Sequence, residues 1–366
     1  MKILVIGNDP KIFDENLENF KRAKEYADLF DEYHIVSSAP PGTKKKSYGN
    51  RLFLWPAGRI KALFIGDRVI KKFRPDLIDT QDSSESGLLG LTLSKIYGIP
   101  LRVQIHTDVM SPWYRKISFK EWIRYRLAIF IAPKANCIRV VSERIKKSLV
   151  KLGIEDKKIT VLPIFTDMAG FAEITPDLHI AEKFKDFEFK MIAAGRLVDK
   201  EKNFSMLIRM MPEFLKICPK AVLVLAGEGP DEEFYRSQIT SYGLENHVIL
   251  EGWREDLPSL LKCFDIFLLP SNYEGWGRVV IEAMASGLPV VMTEVGLARE
   301  VIHSGHNGMI VPVGKQEEFL RACINLYSDS LKRRRLGEEG RKTVLSLKPQ
   351  NKEEYLELYL KSLQMC

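Results

Sequence analysis

Apolar residues in this chain come in short runs rich in valine and isoleucine, and each run is followed by a longer stretch with helical spacing. In the first half the runs are 3–6, 33–37, 77–80, 101–105, 137–141 and 159–162, with helical spacing over 16–30, 59–73, 85–97, 119–132 and 143–152 between them. Alternation of this kind predicts a parallel sheet covered by helices on both faces. Over residues 163–187, which hold Pro163, Pro176 and mixed charges, the rhythm lapses, and an interdomain linker is expected there. It resumes with runs at 190–194, 221–226, 248–250, 266–269, 289–292 and 309–313. The charged tail from Leu331 to Leu363 reads as two helices divided near Pro349. The pattern therefore predicts two α/β domains, 1–166 and 167–345, and a final helix within 346–366 that packs back on the first domain. Two such sheets in tandem would leave a cleft between them, and ligands of open parallel sheets bind beyond the carboxyl ends of the strands.

With 366 residues the chain exceeds the roughly 250 to 300 at which a single core stops growing, which agrees with two domains. A hydrophobic content of 45% and a charged content of 28% suit a soluble globular enzyme and exclude disorder. Five cysteines, Cys137, Cys218, Cys263, Cys323 and Cys366, are scattered without CxxC spacing, so buried free thiols and a reducing, cytoplasmic compartment are expected. The opening Met1-Lys2-Ile3-Leu4-Val5-Ile6-Gly7 reads as a first strand rather than a targeting segment, and no apolar run approaches the roughly 18 residues of a membrane span.

The net charge of +7 hides an asymmetry: residues 1–166 hold 30 basic and 18 acidic side chains, and residues 167–366 hold 25 and 30. Basic clusters lie at Lys44-Lys45-Lys46, at Arg68, Lys71, Lys72 and Arg74, and between Arg115 and Arg126, where Trp113, Tyr114, Phe119, Trp122 and Tyr125 are interleaved. Cations with aromatic rings suit an anionic membrane surface or an anionic acceptor. A solvated basic face over packed aromatics is the competing reading, and no nucleic-acid recognition motif accompanies the charges.

The second half carries the strongest chemical signal. Glu274-Gly275-Trp276-Gly277 is a glycine-rich turn that opens the helical run 279–286, in which Glu282 follows Glu274 by eight positions. Carboxylates so placed can both face a crevice, with backbone N–H groups and the helix dipole favouring an anion between them. Arg196, in Gly195-Arg196-Leu197 after the first strand of this half, and Lys202 six residues on can clamp a diphosphate, the one as a planar fork and the other as a point charge. His106 closes the strand 101–105, a position where polar residues serve ligands. His34, His179 and His247 read as surface or structural, and His303 with His306 lacks a third metal ligand. No GxSxG elbow, HExxH motif or GxxxxGK[ST] loop is present, which removes serine hydrolases, zincins and P-loop ATPases. Gly7-Asn8-Asp9-Pro10 has one glycine where a dinucleotide fingerprint needs three.

Taken together, Gly195-Arg196-Leu197, Lys202-Asn203, Ala226-Gly227-Glu228-Gly229-Pro230, the turn 270–277 and Ile281-Glu282-Ala283-Met284-Ala285-Ser286-Gly287-Leu288-Pro289 resemble the retaining GT-B glycosyltransferases of family 4. The resemblance implies two Rossmann-like domains facing a central cleft. It further implies an enzyme that moves a sugar from a nucleotide-sugar donor to an acceptor hydroxyl, without metal or cofactor and by front-side attack. Arg196 and Lys202 would bind the donor diphosphate, Glu282 the ribose, and Glu274 with the N–H groups of Gly275, Trp276 and Gly277 the sugar hydroxyls and phosphate. His106 would contact the sugar near the reacting carbon, and Asn8 and Asp9 would lie on the acceptor side. The acceptor implied is a glycan or a lipid-linked hydroxyl at the membrane surface, with the enzyme cytoplasmic or peripheral on the inner face. Trp276 stands where phenylalanine is usual, and Val295-Gly296-Leu297-Ala298-Arg299-Glu300 departs from the usual turn while keeping Glu300. The alternatives are an epimerase, hydrolase or phosphorylase of the same fold, or a non-catalytic nucleotide-sugar-binding module.

Overall fold

A computed structural model describes the whole chain, residues 1–366, apart from the side chains of residues 59 and 60. It divides into two compact units, residues 1–163 with 353–366, and residues 164–352. The first unit holds an eight-stranded sheet: β1 (Lys2–Ile6), β2 (Glu32–Ser37), β3 (Lys46–Tyr48), β4 (Leu52–Pro56), β5 (Leu77–Thr80), β6 (Leu101–Ile105), β7 (Cys137–Val140) and β8 (Ile159–Val161). Their spatial order is β3-β4-β2-β1-β5-β6-β7-β8, parallel except for the antiparallel edge pair β3–β4. That edge pair has no counterpart in the hydrophobic pattern. Lys46-Ser47-Tyr48 is polar, and Leu52 and Leu54 become core positions only because β4 pairs with β2.

Helices Arg59–Phe73, Glu85–Tyr97 and Phe119–Ile131 pack side by side on one face of this sheet. Ile78, Thr80 and Leu101 meet Gly90 of the middle helix. The alternation of a strand sends Asp79, Arg102 and Gln104 to the other face, where the C-terminal helix Lys352–Gln364 lies. There the Asp79 carboxylate accepts from Arg102 Nε at 2.9 Å, Arg102 Nη2 at 2.7 Å and Gln104 Nε2 at 2.8 Å. Arg102 also donates to the Tyr359 hydroxyl at 2.8 Å and the Ser362 hydroxyl at 2.9 Å. Arg139 on β7 donates to Gln104 Oε1, to the carbonyls of Leu162 and Pro163, and to the Tyr355 hydroxyl at 2.7 Å. Tyr26 stacks on Tyr359 with ring centroids 4.3 Å apart. Burial pulls the Arg102 pKa down, but the Asp79 charge outweighs it and the guanidinium is held charged more firmly than usual.

Cys137 and Cys366 are disulfide-bonded, with Cα atoms 5.1 Å apart across 229 residues of sequence. Free buried thiols therefore describe only Cys218, Cys263 and Cys323. The expectation of five failed because spacing along the chain cannot show that the last helix returns to β7. The inference from cysteine usage to a reducing compartment falls with it.

The second unit holds a six-stranded parallel sheet of β9 (Phe189–Ala194), β10 (Ala221–Ala226), β11 (Val248–Gly252), β12 (Ile266–Leu269), β13 (Val290–Thr293) and β14 (Met309–Val311), in the order β11-β10-β9-β12-β13-β14. Helices cover both faces, giving two core layers, one including Phe204, Leu207 and Met211 and the other Val280, Ala283 and Met284. The expected linker 163–187 is a correction. It forms helices Met168–Glu173 and Leu178–Lys183, and Met168, Ile180 and Phe184 enter the second unit's core. Prolines and charges outweighed the i, i+3 and i+4 spacing of its few apolar residues in the sequence pattern.

Asp79→Ala should leave Arg102 buried without a counter-charge and cost about 3–5 kcal/mol, whereas Asp79→Leu with Arg102→Met should cost much less. Urea denaturation of both variants checks this, and an unchanged midpoint for Asp79→Ala would contradict the network's role.

Candidate functional site

At the carboxyl ends of β9 and β12 the chain turns through residues 195–203 and 270–277. Lys202 is nearly buried and its Nζ lies 2.5 Å from Glu274 Oε1 and 3.5 Å from Glu201 Oε1. Burial pulls the Lys202 pKa down, but Glu274 and Glu201 outweigh it and raise it, so the ammonium stays charged. The same Glu274 oxygen accepts from Ser271 Oγ at 2.9 Å, and Thr293 Oγ1 donates to the Ser271 carbonyl at 2.5 Å. Asn272 N–H donates to the Glu201 carbonyl at 2.8 Å, tying the two turns together. Arg196, largely exposed, pairs with Glu201 Oε2 at 2.8 Å. The two cations expected to clamp a diphosphate are thus each matched to a carboxylate of the same turns.

The turn's backbone is left open. Among the described residues, none of the backbone N–H groups of 275–279 donates to a protein acceptor, and residues 278 and 279 begin the helix Arg278–Ala285. Gly277 caps that helix with φ 98° and no side-chain cap. Gly296, φ 51°, allows the Leu297 segment to run against the turn, since a Cβ there would lie 2.3 Å from the Trp276 carbonyl oxygen. Gly227 does the same beside Gly195, where a Cβ would lie 1.9 Å from the Gly195 oxygen. Unsatisfied amides at the positive end of a helix dipole form an anion site. Glu282, one turn into the helix, is buried, and its carboxylate accepts from Arg278 Nη2 at 3.2 Å. Burial raises its pKa against the opposing Arg278 charge, which suits a carboxyl that holds hydroxyl groups.

In the first unit His106 follows β6 and lines a cavity of about 210 Å³ with Asn8, Asp82, Glu85, Tyr114 and Arg124. Its Nδ1 is sealed from solvent with no partner among the described residues. Burial, reinforced by the charges of Arg139, Arg22 and Arg102, lowers its pKa to about 3, so the ring is neutral near pH 7. Glu85 and Arg124 form a forked pair, with Arg124 Nη2 to Glu85 Oε1 at 2.9 Å and Nε to Oε2 at 3.1 Å. Burial would raise the Glu85 pKa, but Arg124 and Ser84 bring it to about 2. Asn8 lines this cavity. Asp9 does not, and both its oxygens are taken, by the Lys11 N–H at 3.0 Å and Asn19 Nδ2 at 2.5 Å. Those two bonds give Asp9 a turn-capping role at the start of the loop that follows β1.

Arg68, Lys72 and Arg74 are exposed on or just after the helix Arg59–Phe73, while Lys71 pairs with Asp67 at 2.9 Å. His34 is buried between Glu32 and Trp55, and His303 and His306 belong to no group of three metal-capable side chains among the described residues. Sequence reasoning missed Glu85 and Arg124, which lie 39 residues apart with no motif linking them. It also missed Ser271 and Thr293, whose part is to fix Glu274. Ser271 stands three residues before Glu274 in the turn 270–277 and could have been found there.

These features define a GT-B glycosyltransferase, with two Rossmann-like parallel-sheet domains and a glycine turn of open backbone amides in the second. Residues 175–343 match the family model described as glycosyl transferases group 1, and residues 21–169 match that of glycosyltransferase family 4. The chain belongs to this glycosyltransferase family and is a transferase. It is 27% identical over 74% of its length, and 71% of the relative's, to the Escherichia coli UDP-Gal:alpha-D-GlcNAc-diphosphoundecaprenol alpha-1,3-galactosyltransferase. With the putative glycosyltransferase EpsD of Bacillus subtilis (strain 168) it shares 29% identity over 62% of its length, spanning 61% of that protein. In fold it is similar, over the whole of each chain, to HepE of Anabaena in complex with UDP (TM-score 0.77, 20% identity) and to sucrose-phosphate synthase of Thermosynechococcus elongatus (TM-score 0.80, 18% identity).

Because the Glu282 pKa is raised in the folded state, its ionisation opposes folding as pH rises through that value. Glu282→Gln should therefore melt at a higher temperature relative to the parent at pH 7 than at pH 4. Paired thermal melts check this, and an equal difference at both values would contradict the assigned burial.

Proposed function

We propose that the chain transfers a sugar from a nucleotide-sugar donor to an acceptor hydroxyl with retention of anomeric configuration and without a metal. The observation that carries this reading is the row of unpartnered N–H groups over residues 275–279 at the start of a helix, with the buried Glu282 carboxyl one turn further on. Such a row fits a diphosphate, and Glu282 fits the ribose hydroxyls beside it. The leaving diphosphate gains negative charge as the bond to the sugar breaks, and preorganised amides stabilise that charge without a cation. Lys202 and Glu274 set the turn, and Arg196, exposed at the same strand end, is able to exchange Glu201 for a phosphate oxygen.

In the reaction the anomeric carbon loses its bond to the phosphate oxygen and gains one to the acceptor oxygen on the same face. The acceptor proton passes to the departing phosphate oxygen. The cavity beside His106 takes the acceptor in this reading. The neutral imidazole is a hydrogen-bonding partner there rather than an acid, because a pKa of about 3 leaves it unprotonated near pH 7. Names of relatives support the substrate classes: the Escherichia coli relative is named for a UDP-galactose donor and a diphosphoundecaprenol acceptor, and HepE was crystallised with UDP-glucose. A UDP-sugar donor and a lipid-linked or polysaccharide acceptor are accordingly the first candidates.

Lys202→Ala and Glu282→Ala should each lower transfer by roughly a hundredfold or more with circular dichroism unchanged. Transfer should survive chelation by EDTA, and proton NMR of the first product should show the donor's anomeric configuration. Wild-type transfer in both variants would overturn the site, and an inverted product would overturn the retaining mechanism.

A further inference from the structure

The helix Phe119–Ile131 buries Ala128 and Ile131, and its outward stripe is not polar. Phe119, Trp122, Ile123, Arg126 and Phe130 follow one another at helical spacing, and Phe119 is 74% exposed, Phe130 51% and Trp122 45%. Trp113, on the preceding short helix Pro112–Lys116, is 44% exposed. Phe119 and Trp122 stack with centroids 5.6 Å apart, so neither ring turns inward. Arg126 lies 5.9 Å from the Trp122 ring and Lys134 3.6 Å from the Phe130 ring. The two neighbouring helices of the same layer add Phe64, 68% exposed, and Ile96, 65% exposed.

Charge on this layer is one-sided. Its acids are matched internally: Glu85 and Glu121 to Arg124, and Asp67 to Lys71. Arg68, Lys72, Lys95, Lys116, Lys120 and Arg126 are exposed without a carboxylate partner among the described residues. A solvated basic face, the competing reading of these charges, does not explain aromatic rings held in water beside the cations. No helix of the described chain is long and apolar enough to cross a membrane.

We propose that this helix layer docks flat on an anionic lipid bilayer, with Trp113, Phe119, Trp122 and Phe130 seated at the headgroup level and Lys116, Lys120 and Arg126 on lipid phosphates. Interfacial aromatics and phosphate-seeking cations are the two terms that hold a protein on such a surface. The centre of the surface is this helix, rather than the cluster at Arg68, Lys71, Lys72 and Arg74, which forms its rim. Docking goes beyond the transferase reading and does not depend on it, since binding to vesicles requires no donor.

Flotation of the full chain with vesicles of equimolar phosphatidylcholine and phosphatidylglycerol tests the proposal. Wild type should float with these vesicles and bind pure phosphatidylcholine at least about tenfold more weakly. The triple variants Phe119→Ser/Trp122→Ser/Phe130→Ser and Lys116→Glu/Lys120→Glu/Arg126→Glu should each lose about tenfold or more, with their thermal melts unchanged. Should a variant fail to fold, quenching of wild-type tryptophan emission by brominated phosphatidylglycerol decides instead, and quenching is expected. Absence of flotation, binding by both variants equal to that of wild type, or no quenching would overturn the proposal. So would a dimer in sedimentation that the aromatic variant abolishes, or a preference for a soluble polyanion such as heparin over the vesicles.

Discussion

The second unit's chemistry depends on one buried ion pair, Lys202 with Glu274. A lysine and a glutamate withdrawn from water are tolerable only together, and their mutual need fixes the ends of β9 and β12 against each other. Ser271 and Thr293 complete the constraint by holding the Glu274 oxygen and the turn beneath it. With the side chains committed to one another, the backbone is left to face the ligand: five successive amides, a glycine cap and a helix dipole. On the proposed function, this division of labour explains how a diphosphate is held with so few uncompensated cations. Preorganised amides give the same stabilisation without the desolvation cost of a bare lysine.

The first unit is organised around a different constraint, two buried arginines with one carboxylate, Asp79, which pairs with Arg102 alone. Asp79 neutralises Arg102, and Arg139 is satisfied by carbonyls, Gln104 and Tyr355. Because Tyr355, Tyr359 and Ser362 belong to the last helix, the network is complete only when that helix is seated. The bond between Cys137 and Cys366 fixes the same helix at its far end. The opposite helix layer buries Val69, Ile70, Leu91, Leu93, Ala128 and Ile131 against the sheet and carries its exposed aromatics on the outer side.

Much of this was legible in the sequence. The alternation of apolar runs and helical stretches located β1, β2 and β5 to β14, because buried parallel strands are short, continuous and β-branched. The glycine turn was legible because backbone geometry forces residue type: a left-handed helix cap at Gly277 and close passes at Gly227 and Gly296 exclude side chains. What stayed hidden depends on distance in the fold. The forked pair of Glu85 and Arg124, the Cys137–Cys366 bridge and the core role of Met168 and Phe184 are contacts between remote segments with no local signature. The roles of Arg196 and Lys202 were legible as charge but not as pairing, since their partners Glu201 and Glu274 read equally well as ligands. The capping bonds of Asp9 to Lys11 and Asn19 likewise leave no mark on composition.

The central claim is that the open amides of residues 275–279 receive the donor diphosphate. Hydrogen–deuterium exchange of these amides, with and without a saturating nucleotide-sugar, tests it most directly. The account predicts slowed exchange over residues 275–279 on binding, greater than anywhere on the first unit's sheet. Binding that leaves exchange in this turn unchanged, while protecting amides elsewhere, would contradict it.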